Sequence, residues 1–202
     1  MSPSGRSFAF DHRADGYGRG EGAACVVLQR IGEDEQATVR ALIRNAGLNH
    51  CGRSIGITVP SGEAQSSLIS RLYREIGLDP CETPYVEAHG TGTARGDPIE
   101  AQAIATTFAR PGVPVHLGSV KANFGKVQTS VFHCIILTLS GHTEGASGVV
   151  SLIKAVLMLE KETILPCANF EKVNPAINLD SLGLKVHIPH FLPCVRQFAK
   201  FL

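Results

Sequence analysis

Two histidines stand where a backbone can aim them. His89 follows the run Pro84-Tyr85-Val86-Glu87-Ala88 and opens into Gly90-Thr91-Gly92-Thr93, and His142 precedes Thr143-Glu144-Gly145-Ala146-Ser147-Gly148. Between them, Ser119-Val120-Lys121-Ala122-Asn123-Phe124-Gly125 gathers further polar groups at the end of another apolar run. The C-terminal ends of strands are where α/β sheets place their sites. A histidine just ahead of a helix faces unpaired backbone N–H groups and the positive end of the helix dipole, which disfavours the imidazolium. The neutral imidazole still donates one hydrogen bond, so such a residue can hold an oxyanion as it develops. Either histidine alone reads as an ordinary core or surface residue. Two of them among glycines at element ends shift the balance towards chemistry.

These residues need strands and helices to position them, and the pattern supplies both. Residues 11–22 are Gly-rich and charged, which marks a loop. Ala23 to Leu28 and Ala37 to Asn45 read as two strands. Ser61 or Gly62 opens a helix carrying Leu68, Ile69, Leu72 and Ile76 at helical spacing, with Gly77 just past its end. Pro84–Ala88 is a short strand. Asp97-Pro98-Ile99-Glu100 has the composition of a helix start, with Asp97 as N-cap, and the helix runs to about Phe108. Val115–Val120 reads as a buried strand, and Glu144–Lys161 as a core helix apolar nearly all round. The strand ending at Ala88 and that last helix are expected to share one core. Strands alternating with helices give an α/β class.

Composition narrows the function. A hydrophobic content of 44% with 18% charged residues is that of an ordinary globular protein able to bury a core. Lys and Arg number 19 against 18 Asp and Glu, so no charge excess points to nucleic acid or an anionic membrane as partner. No apolar h-region or spanning segment is visible, and the chain reads as cytoplasmic. The six cysteines have no C-x-x-C spacing, which suggests neither zinc nor a disulfide framework; buried reduced thiols are expected. The glycines at 16, 18, 20 and 22 precede a strand-like run instead of a helix, so they do not form a dinucleotide fingerprint, and no P-loop or H-E-x-x-H is present.

The blocks Asp15-Gly16-Tyr17-Gly18-Arg19-Gly20-Glu21-Gly22, Glu87 through Glu100, Gly118 through Gly125 and His142 through Gly148 resemble, in order, the β-ketoacyl synthase domain, with wording closest to the fungal-type iterative polyketide synthases. The resemblance implies a thiolase-like fold, here incomplete, and a Cys-His-His site in which the cysteine accepts an acyl chain from an acyl carrier protein. Two histidines then promote decarboxylation of a malonyl thioester. His89 matches the first histidine, His142 the second, and Lys121 the lysine that supports them. Thr91 and Thr93 match the loop that lines the pantetheine entry. The resemblance further implies acyl carrier protein thioesters as partners, phosphopantetheine carried by that protein with no cofactor bound directly, and a homodimer in the full-length family.

The sequence departs from the family in two ways. None of the six cysteines stands in the family's Asp-Thr-Ala-Cys-Ser-Ser context, so no nucleophile is assigned and the isolated chain is expected to be inactive in condensation. Both ends read as cut: residues 1–188 form the partial domain, and 189–202 match nothing. Secondly, 126–141 interrupts what the family writes without a break, and loops in α/β units usually take about 2–6 residues. We read this stretch as a retained intron translated in frame; a genuine surface insertion is the alternative. A cysteine-less decarboxylating or partner subunit, or the non-functional product of a misdelimited gene, are the other functional readings. Deleting 126–141 is expected to raise solubility and any residual decarboxylation, because a ~1 Å misplacement of a catalytic group can cost about a hundredfold. A deletion variant that is less soluble and no more active makes the stretch a structural part of the protein.

Overall fold

The computed structural model describes residues 1–32, 38–52, 56, 59–123 and 141–188. The interruption up to residue 140, the tail 189–202, Cys134 and Cys194 lie outside the described residues.

Strands β1 (Tyr85–Glu87), β2 (Val115–Gly118) and β3 (Leu184–Val186) form a parallel sheet in the order β1-β2-β3. Parallel neighbours cannot be joined by a tight hairpin, so each link crosses a face of the sheet. Helix α2 (Gly96–Phe108) makes the first link; α3 (Val120–Asn123) and α4 (Ser147–Glu160) belong to the second. This is the expected α/β class. β3 was not foreseen, since three residues are too few to register as a run. On central β2, Val115 and Leu117 are buried while His116 between them is only half-buried, as the two-residue period of a strand requires. They meet Ile104 and Phe108 of α2 together with Phe10, Phe170 and Ile177 in one core.

Helix α1 (Gly62–Glu75) begins and ends as its sequence predicts. Ser61 Oγ accepts the Ala64 N–H at 3.1 Å, and Gly77, at φ +66°, lies just beyond. It packs on α2, with the Tyr73 ring edge-on to Phe108 at 5.5 Å.

Several local expectations are corrected. Residues 23–28 and the described part of 37–45 form no strand, and Val27 is 97% exposed. Apolar β-branched runs become strands only when a neighbour takes their N–H and C=O groups, and among the described residues no neighbour does. Asp97 is not the N-cap of α2. It lies inside the first turn, and its buried carboxylate turns back to accept the N–H groups of Phe10 (2.7 Å), Gly92 (3.1 Å) and Thr93 (3.2 Å). β2 stops at Gly118, and Val120 already starts α3.

Helix α4, preceded by a 3-10 turn over Glu144–Ala146, buries Ser147, Lys154 and Met158; Val149, Leu152 and Val156 are half-buried, and Leu157 and Leu159 are exposed. It packs against β1 as expected, though through a cluster apart from the main core. It meets β1 through a separate cluster of Met158, Ile164 and Tyr85, and through an ion pair between Lys154 and Glu87 at 2.8 Å.

The N-terminal segment is fastened by Asp11, which is fully buried. Its carboxylate accepts the N–H groups of Arg13 (3.0 Å), Glu171 (2.6 Å) and Lys172 (3.1 Å) and the Arg13 Nε–H (2.7 Å). Burial alone raises its pKa, but the Arg13 guanidinium and the three backbone donors outweigh that and hold it at about 2, below the ordinary 3.8. A depressed carboxyl contributes stability that is complete above the unfolded pKa and lost as pH falls through the folded one. Stability is therefore expected to decline between about pH 4 and pH 2, and Asp11→Ala to cost about 2 kcal/mol or more at pH 7 by orphaning buried donors. Urea denaturation at both pH values checks this; an unchanged midpoint contradicts it.

Candidate active site

β1 leads into His89, and three side chains clamp its peptide unit. The His89 N–H donates to Glu100 Oε1 of α2 at 2.6 Å, and the next N–H, of Gly90, donates to Glu100 Oε2 at 2.8 Å. The His89 carbonyl accepts from Lys121 Nζ of α3 at 2.7 Å and from Ser119 Oγ at 3.1 Å. Gly90 adopts φ +43°, and a Cβ there would stand 2.6 Å from the Ser119 Cβ, so this turn requires glycine. Glu100 is a site residue that sequence reasoning missed. Its signal was available, as a carboxylate one turn into the helix that opens directly after the histidine loop.

His142 is held by the Gly-rich loop 16–22. Its N–H donates to the Gly18 carbonyl at 2.7 Å and its carbonyl accepts the Gly20 N–H at 3.0 Å, a parallel bridge across Arg19. At neighbouring Gly141, φ +111°, a Cβ would run into the Gly18 carbonyl. The loop role of these glycines was expected; their pairing with His142 was not. Arg19 also reaches Glu144 at 3.2 Å, tying the loop to the turn after the histidine.

The Glu144 N–H donates to His142 Nδ1 at 3.0 Å, which requires Nδ1 to be unprotonated and leaves the proton on Nε2. This is the neutral donor that the helix start predicts. Glu144 adopts φ +49° in presenting that N–H, an unusual conformation for a residue with a side chain. The His142 ring lies edge-on between Tyr17, at 5.5 Å between centroids, and His89, at 5.2 Å. The structure thus places the two imidazoles within reach of one small group.

The electrostatics disfavour the charged form of both rings. Burial, then the Lys121 charge, lowers the pKa of His142 below 6.5. His89 keeps much of its surface in solvent, yet desolvation of the remainder followed by the Lys121 and His142 charges lowers it too. Lys121 is only 3% exposed, and burial lowers its pKa against the opposing pull of Glu100, Glu87 and Asp97. Its ammonium holds the His89 carbonyl and acts on the rings through space. An Nε2–H donor on His142, a second neutral imidazole and a buried cation behind them can stabilise a negative oxygen without supplying a proton.

Thr91 is buried, and its hydroxyl donates to Thr93 Oγ1 at 3.4 Å; Thr93 Oγ1 also accepts the N–H of Gly96, the first residue of α2, at 3.1 Å. The described cysteines form no disulfide, but the expectation of buried thiols fails for Cys25 and Cys51, which are exposed, and Cys81 is half-buried. Buried Cys167 has its pKa raised to about 11 by desolvation, which makes it a poor nucleophile. Among the described residues no cluster of His, Cys, Asp or Glu could hold a metal ion, and no helix is long and apolar enough to cross a membrane.

Residues 40–131 and 136–171 match the family described as beta-ketoacyl synthase, C-terminal domain, and residues 1–33 match its N-terminal domain. The chain is 53% identical over 195 residues to highly reducing polyketide synthase 40 of Fusarium pseudograminearum, covering 93% of this chain and 7% of that protein. It is 49% identical over 191 residues to highly reducing polyketide synthase AN6791 of Emericella nidulans, covering 92% and 7%. The ketosynthase from module 6 of the bacillaene synthase of Bacillus subtilis 168 superposes with a TM-score of 0.80 at 34% identity, covering 93% of this chain and 32% of that one. The oxazolomycin ketosynthase domain of Streptomyces albus JA3453 gives 0.80 at 32% identity, covering 93% and 30%. The chain therefore spans a small part of its curated relatives and about a third of the solved ketosynthases, whose thiolase-like fold it shares in part.

The donor geometry predicts a titration. His142 is expected to stay neutral with Nε2 protonated at pH 6.5, and both histidines to titrate with midpoints below the ordinary 6.5. Two-dimensional nitrogen–proton NMR of the imidazoles reads tautomer and midpoint together. An Nδ1-protonated His142, or midpoints at or above 6.5, contradicts the arrangement.

Proposed function

The chain belongs to the β-ketoacyl synthase family, and from that premise we propose that His89 and His142 serve the decarboxylation of a malonyl-type thioester. Loss of carbon dioxide leaves the electron pair on the α-carbon, and the thioester oxygen takes the negative charge of the enolate. The imidazole N–H groups hold that oxygen; burial and the Lys121 charge disfavour protonation of the rings, and Lys121 keeps the His89 peptide in place. The observation that carries this reading is the hydrogen bond from the Glu144 N–H to His142 Nδ1, which leaves Nε2–H free to donate. A protonated histidine would donate as well, but its charge would be costly beside Lys121.

The thioester is proposed to arrive on the phosphopantetheine of an acyl carrier protein, passing the Thr91-Thr93 loop, as part of polyketide assembly. The longer synthase is proposed to act as a homodimer. Residues 1–188 are proposed as one partial ketosynthase unit interrupted at 126–141, with 189–202 outside it. Condensation needs an acyl-accepting thiolate, and none of the six cysteines has the family's nucleophile context. We therefore propose for these residues the decarboxylating part of the family reaction.

Incubation with an acyl-thioester donor is expected to leave the protein's mass unchanged, while a malonyl thioester releases carbon dioxide slowly. His142→Ala is expected to reduce that release about a hundredfold, the usual cost of one oxyanion donor. Stoichiometric acylation of any cysteine overturns the absence of a nucleophile. Release unaffected by His142→Ala overturns the role of the pair.

A further inference from the structure

Glu87 ends β1 two residues before His89, and its side chain is nearly buried while answering three donors. Oε1 accepts the Val120 N–H at 2.6 Å; Oε2 accepts Lys154 Nζ at 2.8 Å and the Tyr85 hydroxyl. Lys154, buried on α4, also donates to the Tyr85 oxygen at 3.1 Å, so ammonium, carboxylate and phenol close a triangle between helix and strand. Each arm leads to the histidine site. Val120 precedes Lys121, whose ammonium holds the His89 carbonyl. α4 grows out of the turn that begins with His142. β1 ends at His89.

A buried ion pair adds little net stability, since desolvating two charges offsets most of their attraction. Apolar side chains would hold α4 against β1 as firmly, but their contact is non-directional and permits sliding. The Lys154 ammonium, bonded to both the Glu87 carboxylate and the Tyr85 oxygen, fixes where the helix sits along the strand, and the third donor, the Val120 N–H, ties the same carboxylate to α3. We propose that Lys154, acting through Glu87, is a positioning residue that sets the His89 imidazole against the His142 imidazole. The assignment rests on the reading of those histidines as a working pair.

The test uses the full chain with Lys154→Arg, Lys154→Met and the double variant Lys154→Met/Glu87→Gln. The double variant leaves no unpaired buried charge, and glutamine keeps an acceptor for the Val120 N–H, so it is the variant expected to fold; circular dichroism checks this. His89 faces Lys121, His142 and Glu100, and His142 faces Lys121, Glu144 and Arg19, none of which is altered; Lys121 itself is favoured by Glu87 and opposed by Lys154, and the double variant removes both of those charges together. In the double variant the histidine midpoints are expected to move up by about half a unit. Its kcat for malonyl-thioester decarboxylation is expected to fall about tenfold with KM little changed, and Lys154→Arg to recover most of both. A folded double variant with unchanged midpoints overturns the proposal. So does unfolding of all three variants, since the pair then supports the whole fold. If the unaltered chain decarboxylates nothing, the functional reading fails, while the titration still decides the positioning claim.

Discussion

Lys121 carries an ammonium into a place nearly free of water, and the surrounding elements are arranged to answer that charge. Burial disfavours its protonated form, while Glu100, Glu87 and Asp97 draw it back. None of these carboxylates makes a simple ion pair with it. Glu100 takes the N–H groups of His89 and Gly90, Glu87 takes that of Val120, and Asp97 takes those of Phe10, Gly92 and Thr93. Each acid thereby does two things at once, fixing backbone donors by contact and balancing the cation through space. Removing the cation would leave a cluster of buried negative groups, and removing an acid would free a loop.

From this centre the order spreads to His142. Asp97 ties Phe10 to α2, Asp11 ties the next turn to residues 171 and 172, and Ser7 Oγ accepts the Gly18 N–H at 3.2 Å. These bonds present the Gly18 carbonyl and the Gly20 N–H to the backbone of His142. The glycines are needed because backbones meet there without room for side chains. α3 is anchored on its other side by Asn123, which bonds the Pro166 carbonyl and the Ala168 N–H, and by Asn169, which bonds the Ala122 carbonyl. The site is therefore assembled from segments distant in sequence, each held by side chains that bond main-chain groups.

That construction explains what could be read from the sequence. The residues at the centre were legible because their types and order repeat a family pattern: His89, Lys121 and His142 do come together. Helix α1 was legible because Ser61 and Gly77 act locally, through bonds to their own neighbours. Asp97 was misread because a carboxylate at a helix start can cap the helix or turn to the preceding loop, and only the fold decides which. Residues 23–28 carry strand-like side chains, but a strand is a relation between two segments and the side chains name only one of them. Lys154 was invisible within an apolar run, since nothing in its helical spacing says that a carboxylate waits on β1. The apolar character of α4 likewise announced burial without saying that it would meet a small satellite cluster instead of the main core.

The proposed chemistry depends on the two imidazoles facing one another at the junction of β1, α3 and the turn before α4. Nuclear Overhauser spectroscopy on the full chain with isotopically labelled histidine tests this directly. Cross-peaks between ring protons of His89 and His142 are predicted, since their centroids lie 5.2 Å apart. Well-resolved ring signals from both residues, with no cross-peak between them, would contradict it.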